Sequence, residues 1–420
     1  MTGATPRVAW TQQYDHLAWL AAQTRRQLTF GRAFPHPAGG SWYLDDTGRP
    51  DMSRPVHTYV TARMLHVYSL GHLAGIPGCA PLALRAMQGL QGQLHDDTHG
   101  GWFASVGPAG RRDETKSAYP HAFVVFAAAS ATVAALPGAR ALLDQALNIL
   151  DQRFWAEGPG LHSDSAGRDW LQVSDYRGVN ANMHAVEALL SAADATGDRR
   201  WRDRARRITE TALGWAADND WRMPEHFDPH WSPLLDHHRD EPAHPFEPYG
   251  ATVGHGLEWS RLALHVAAAD ADRQRSAGLL TGAINLFDRA VADGWAADGA
   301  DGFVYTTDWS GRPVVRQRMH WVVAEAICAA AALGAVTGDP QYDGWYRRWW
   351  DYAAEHFIAD DGSWQHELDP ENRPASSVWP GRPDLYHSIH ATLLPRLPLA
   401  PSAATAIAQG LMSSPVAAGC

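Results

Sequence analysis

Asn180-Ala-Asn-Met-His184-Ala-Val-Glu187 and Gly254-His255-Gly-Leu-Glu258 are two apolar helix starts that carry the same device, a His and a Glu three residues apart. Residues at that spacing share one helical face, so each segment turns an imidazole and a carboxylate the same way. Comparable polar or aromatic groups stand at Arg54/His57, Tyr119/His121, Trp321/Glu325 and His387/His390, spaced by roughly 63 to 71 residues, a period that signals a repeat architecture. Six repeats that begin alike aim their leading residues toward one place.

A second mark interleaves with the first: Gly40-Ser-Trp42, Gly100-Gly-Trp102, Gly160-Leu161, Trp221, Gly302-Phe303 and Gly362-Ser-Trp364. Glycine followed by aromatic and β-branched residues, as in Gly302-Phe-Val-Tyr-Thr-Thr307, reads as a short hairpin between helices. Each unit is therefore helix, loop, helix, loop. Val56, Tyr59, Val60, Met64 and Val67 recur at helical spacing, with Ser53 as an N-cap and Pro55 in the first turn. Ala-Thr-Gly197-Asp and Val-Thr-Gly338-Asp-Pro340 repeat a helix stop. Helices that start near His184, His255 and Trp321 are apolar almost all round and belong in an inner ring. Those over 199–218 and 341–357 divide into apolar and charged stripes and belong outside. The fold class is all-α, an (α/α)6 barrel of six helical-hairpin repeats joined by short β-hairpin loops. One catalytic domain spans 1–400, and 401–420, small and uncharged, reads as a weakly ordered tail.

A formal net charge of −11 and a pI near 6.0 exclude a surface built to track phosphates, so no nucleic-acid partner is expected. Cys79, Cys328 and Cys420 lie far apart with no CxxC, which fits a reducing cytoplasm. Residues 1–7 carry no apolar leader and no run of eighteen apolar residues occurs, so a soluble, cytoplasmic protein without a membrane partner is expected, monomer or homodimer. Nineteen tryptophans supply flat apolar faces of the kind that pack on sugar C–H groups, although most belong in the core. The long interval with His226, His230, His237, His238 and His244 is rich in turn formers. It reads as a lid or rim loop, because its spacing matches no zinc pattern.

Inner helices that start at one end of a barrel point their unpaired N–H groups at a common pocket, where an anionic intermediate is stabilised. His184, His255 and His387 would supply proton-transfer groups there, with Glu187, Glu258 and Glu325 to orient them. Di-iron helices carry Glu-x-x-His, whereas both pairs here run His-x-x-Glu, and HExxH is absent, so neither metal nor other cofactor is expected. Asn180 reads equally as a ligand or an N-cap. Arg54 in a first helical turn would oppose the dipole, which favours a ligand role. His390 reads as a core residue, and His57 and His121 stay open between the two roles.

Together with Pro248-Tyr-Gly-Ala-Thr-Val-Gly254-His255-Gly-Leu-Glu258, Trp321-Val-Val-Ala-Glu325-Ala and Leu385-Tyr386-His387, the opening segments closely resemble the N-acylglucosamine 2-epimerase superfamily. Within it, the chain is most similar to the aldose–ketose isomerase branch of mannose and sulfoquinovose isomerases. The resemblance implies metal-independent chemistry on a monosaccharide, with His255 and His387 as the acid/base pair. It implies that Arg54, Asn180, His184 and Glu258 hold the open-chain sugar, and that Tyr119 and Trp321 line the pocket. The expected reaction interconverts D-mannose and D-fructose, with D-lyxose and D-xylulose as a further pair, through a cis-enediolate. His387 is assigned to C2 and C1 and His255 to the oxygens, an assignment the sequence leaves exchangeable. A sugar 2-epimerase and an inverting glycosidase remain as alternatives. Some members of the branch carry Arg where this chain has Glu247, and a carboxylate facing the pocket there would favour a neutral sugar.

Overall fold

A computed structural model describes residues 8–270 and 272–414, so the leader reading on 1–7 and Cys420 lie outside the described residues. The helices are α1 (Tyr14–Phe30), α2 (Thr58–Leu73), α3 (Cys79–Gln91), α4 (Ala118–Val133), α5 (Ala139–Ile149), α6 (Val179–Thr196), α7 (Arg199–Asp218), α8 (Val253–Ala269), α9 (Arg273–Gly294), α10 (His320–Thr337), α11 (Pro340–His356), α12 (Tyr386–Leu393) and α13 (Ala403–Ala408). The even-numbered helices α2 to α12 pack side by side in chain order, and α12 returns to α2, which closes the inner ring of the barrel. Helices α3, α5, α7, α9 and α11 each lie outside the inner helix just before them, and α1 backs α12. The first helix is thus the outer mate of the last.

Amphipathicity follows this placement. On α7, Trp201, Ala205, Ile208, Ala212 and Leu213 are buried at helical spacing while most of its Arg and Asp side chains face water, whereas α10 is buried along nearly its whole length. Helix α10, although its apolar run is broken by His320 and Glu325, is also long and apolar enough to cross a bilayer; in the barrel 67% of it is buried as wall.

Short strands tie neighbouring repeats at the mouth. The two residues before an inner helix pair antiparallel with a strand of the next loop: Val56–His57 with Ser105–Val106, Lys116–Ser117 with Ser165–Ala166, Arg177–Gly178 with His226–Phe227, Ala251–Thr252 with Thr306–Thr307, and Arg318–Met319 with Glu367–Leu368. A bridge between Leu44 and Arg382 ties the last repeat to the first. The same loops cap the helices. The first N–H of α2, α4, α6, α8 and α10 donates to the carbonyl of Ala104, Asp164, Glu225, Tyr305 and His366 respectively. Backbone carbonyls from the next repeat thus do the work usually given to an N-cap side chain.

Two expectations change. Val56 and His57 are strand, so α2 starts at Thr58 rather than near Pro55, and the Ser53 hydroxyl donates to Asp51 instead of capping a helix. The tail does not loosen at 401: α13 buries Ala404, Ala406 and Ile407 against α2, α4 and α6, so small apolar residues here plug the far end of the barrel.

Candidate active site

Because every inner helix starts at the same level, the same positions of each face inward. The second residues are Tyr59, Tyr119, Asn180, Gly254, Trp321 and His387; the sixth, one turn deeper, are Arg63, Phe123, His184, Glu258, Glu325 and Ala391. Most of these line one pocket at the mouth, joined by His255, Tyr305, His320, His366, Trp379 and Asp384. Gly254 makes room for Trp321, since a Cβ there would lie 2.3 Å from the indole ring. That ring sits beside both histidines, its centroid 5.2 Å from His255 and 5.6 Å from His387.

Both imidazoles are anchored in the same way. His255 Nδ1 lies 2.9 Å from Glu225 Oε2, and His387 Nδ1 lies 2.9 Å from Glu325 Oε1. A carboxylate accepts, so each Nδ1 carries a proton, and Nε2 is the basic nitrogen of the neutral ring. Burial, reinforced by the nearby Arg63 cation, holds His387 well below the ordinary histidine range, which keeps it a neutral base at pH 7. The His-x-x-Glu pairs do not pair internally. Glu258 lies 3.7 Å from His184 rather than against His255, and Glu187 meets Arg261 at 3.1 Å and the Tyr386 hydroxyl.

Beneath the imidazoles, buried Arg261 gathers three carboxylates: Glu325 at 2.8 Å, Glu187 at 3.1 Å and Glu258 at 3.5 Å. One guanidinium cannot balance three anions in a dry site, and burial followed by the charge of Glu325 raises the Glu258 carboxyl well above its usual range. Glu258, Glu325 and His387 also stand close enough to ligate a cation, with ligand atoms within 4.8 Å of one another, but Arg261 already supplies positive charge to both glutamates.

Among the described residues, four buried polar atoms of the wall have no hydrogen-bond partner: Arg63 Nε, Asn180 Oδ1, His184 Nδ1 and Trp379 Nε1. Buried polar groups are rarely left unpaired, and here they face the space a polyhydroxy ligand would fill. Burial followed by Arg63 also keeps His184 well below the ordinary histidine range.

Of the residues singled out in the sequence, Tyr119, Asn180, His184, His255, Glu258, Trp321 and His387 converge on the pocket. Arg54 does not. It precedes the strand, pairs with Asp51 at 3.4 Å and lies over the Tyr43 ring. The pocket arginine is Arg63, held by Asp384 at 3.0 Å and the Tyr119 hydroxyl at 2.8 Å. Asn180 sits at the second helical position, not the N-cap. His121 is structural, bonded to Trp102 N and Ser117 O, and buried His390 pairs with His66 at 2.9 Å below the pocket. Glu247 turns away toward His237 at 2.8 Å, so its carboxylate is no part of the wall and the inference from it to a neutral sugar loses its ground. Glu225, Arg63 and Asp384 were missed, although Glu225 holds the same place in its repeat as Tyr305 and His366, two residues beyond the aromatic marks at Phe303 and Trp364.

This chain belongs to the N-acylglucosamine 2-epimerase (GlcNAc 2-epimerase) family, whose model matches residues 39–391. More particularly, it is 52% identical over 403 residues to the D-mannose isomerase of Thermobifida fusca, covering 95% of this chain and 98% of that protein. It is 46% identical over 407 residues to the D-mannose isomerase of Pseudomonas cannabina pv. alisalensis, covering 95% and 97%. A crystal structure of a D-mannose isomerase superposes with a TM-score of 0.83 at 27% identity, over 89% of this chain and 96% of that one.

Proposed function

We propose that this protein is an aldose–ketose isomerase that interconverts D-mannose and D-fructose, with D-lyxose and D-xylulose as a second pair. One observation carries the reading: two imidazoles, each tied through Nδ1 to its own buried carboxylate, line one pocket together with an indole ring that lies 5.2 Å from one and 5.6 Å from the other. His255 assists ring opening. In the open aldose, His387 removes the proton on C2, and the electron pair of that bond forms C1=C2 as O1 gains negative charge. His387, its proton exchanged with solvent, then protonates C1 while His255 moves the hydroxyl proton from O2 to O1, leaving a ketone at C2. Arg63 Nε is a donor free to meet the enediolate oxygens, which gain charge only as the proton leaves. Asn180, His184 and Glu258 orient hydroxyls, and Tyr119 and Trp321 pack on the carbon skeleton. No step needs a metal or cofactor, and the substrate is a free monosaccharide.

The test is D-mannose incubated in deuterated water and followed by NMR. Fructose carrying deuterium at C1 is the expected product. Glucose labelled at C2 would mean reprotonation from the opposite face and a 2-epimerase; release of reducing ends from oligosaccharides without ketose would mean a glycosidase. The carboxylates argue against the latter, since Glu187, Glu258 and Glu325 are drawn together around Arg261 rather than set apart across a scissile bond.

A further inference from the structure

The loop between α7 and α8 holds a cluster of imidazoles that the isomerisation does not use. Its root is fixed by His226, whose Nε2 donates to the Pro248 carbonyl at 2.9 Å and whose Nδ1 accepts from the Tyr176 hydroxyl at 2.7 Å. Further along, two consecutive histidines turn onto one carboxylate. His237 Nε2 lies 2.8 Å from Glu247 Oε2, and His238 Nδ1 lies 3.9 Å from the same oxygen and 2.7 Å from the Glu247 carbonyl. One nitrogen of each ring and a carboxylate oxygen all lie within 4.8 Å of one another. Consecutive residues face one point because His238 adopts a left-handed backbone, φ 51°, which non-glycine residues seldom do. His244 completes the turn by accepting the Glu247 N–H at 3.0 Å.

We propose that His237, His238 and Glu247 form a binding site for a transition-metal dication of the Zn2+ kind, and that its occupancy pins this loop over the pocket. Two imidazoles and a carboxylate, with water completing the shell, suit Zn2+, Ni2+ or Cu2+ and discriminate against Mg2+ and Ca2+. The ion takes the lone pairs of two neutral rings, whose N–H protons move from His237 Nε2 and His238 Nδ1 to the other ring nitrogen, so acid competes with it and binding weakens as pH falls. The consequence for the pocket follows from the chain: Pro245, Phe246 and Pro248 flank Glu247 and line it, and Phe246 reaches Trp379 at 4.8 Å and Tyr59 at 6.3 Å. An ion that holds Glu247 therefore holds the segment that closes the rim, and slows exchange of sugar. Only this last step rests on the isomerase reading.

The test titrates ZnCl2 by calorimetry into tag-free, chelator-stripped full-length protein without sugar. One equivalent is expected to bind in the micromolar range, MgCl2 to give no heat, and the double variant His237→Gln/His238→Ala to bind more weakly by about a hundredfold or more. Glu258→Gln is expected to leave this affinity unchanged, which separates the loop from the Glu258, Glu325 and His387 group. No Zn2+ binding, equal Mg2+ binding, or loss in Glu258→Gln but not in the double variant would overturn the site. At saturating Zn2+ the wild type is expected to turn over more slowly and the double variant not; loop binding with unchanged turnover would overturn the pinning.

Discussion

At the scale of single residues, the two glutamates that carry no substrate decide how the histidines work. Glu225 and Glu325 each fix one imidazole by its Nδ1 proton, so replacing either carboxylate by an amide frees the ring to rotate or to take the other tautomer. Glu225→Gln and Glu325→Gln are each expected to lower kcat by about 10²-fold, the lower end of what a positioned acid or base contributes, with KM changed by only a few-fold. A large KM change with kcat preserved would assign these residues to sugar binding instead. The arginines give a second contrast. Arg54→Ala removes a half-exposed contact to Asp51 and Tyr43 and is expected to leave kcat/KM within about twofold, since surface pairs are worth little. Arg63→Lys keeps a charge beside Asp384 but loses the fork that also reaches Tyr119, and is expected to cost about tenfold or more in kcat/KM. Steady-state kinetics on D-mannose and D-fructose measure all four.

At the scale of helices and turns, what the sequence disclosed is what local chemistry determines. Gly197 and Gly338 end α6 and α10 with φ of 76° and 68°, and Asp198 and Asp339 then cap α7 and α11 through their side chains, so these boundaries could be read from short motifs. The inner helix starts resisted the same treatment because the first N–H groups of α2, α4, α6, α8 and α10 meet carbonyls 46 to 52 residues away. Ser53 resembles an N-cap but bonds Asp51, and the strand Val56–His57 delays α2 to Thr58, so the arginine that reaches the pocket is Arg63 rather than Arg54. The three-residue spacing of His184/Glu187 and His255/Glu258 puts each pair on one helical face, but their partners cross between helices, which no single-helix spacing reveals. Gly254 tests this placement at the level of one helix contact. A methyl group at 2.3 Å from the Trp321 ring must displace the indole or separate α8 from α10. Gly254→Ala is therefore expected to reduce kcat/KM by about 10²-fold, in line with the loss when reacting groups shift by about 1 Å, and to alter the near-ultraviolet dichroism. Full activity with an unchanged spectrum would show that Trp321 does not hold the two imidazoles in place.

At the scale of the whole barrel, packing that makes a neutral base of His387 also buries histidines that take no part in the proton transfer, and the two consequences meet as pH falls. Burial lowers His121 and His162 to about 3, and His226, His265 and His320 to about 4, from the ordinary 6.5. Above pH 6.5 each is neutral whether the chain is folded or not, and contributes no pH dependence. Below 6.5 the unfolded chain takes up protons that the folded one refuses, so stability is lost progressively until the folded values are reached. At pH 5 a histidine held near 4 costs on the order of 2 kcal/mol, and a handful of them approaches the roughly 5 to 15 kcal/mol by which folded proteins usually survive. Urea midpoints are therefore expected to be flat between pH 7 and 8 and to fall steeply from pH 6 to 5. Activity should behave differently: His387 is held well below 6.5, so turnover at low temperature should persist into the range where stability is already declining. Should turnover fall first, with a midpoint near 6.5 that the Glu325→Gln variant shifts while the urea midpoint holds, the His387 ring would be a solvated group, and the dry surroundings inferred from its burial would be wrong.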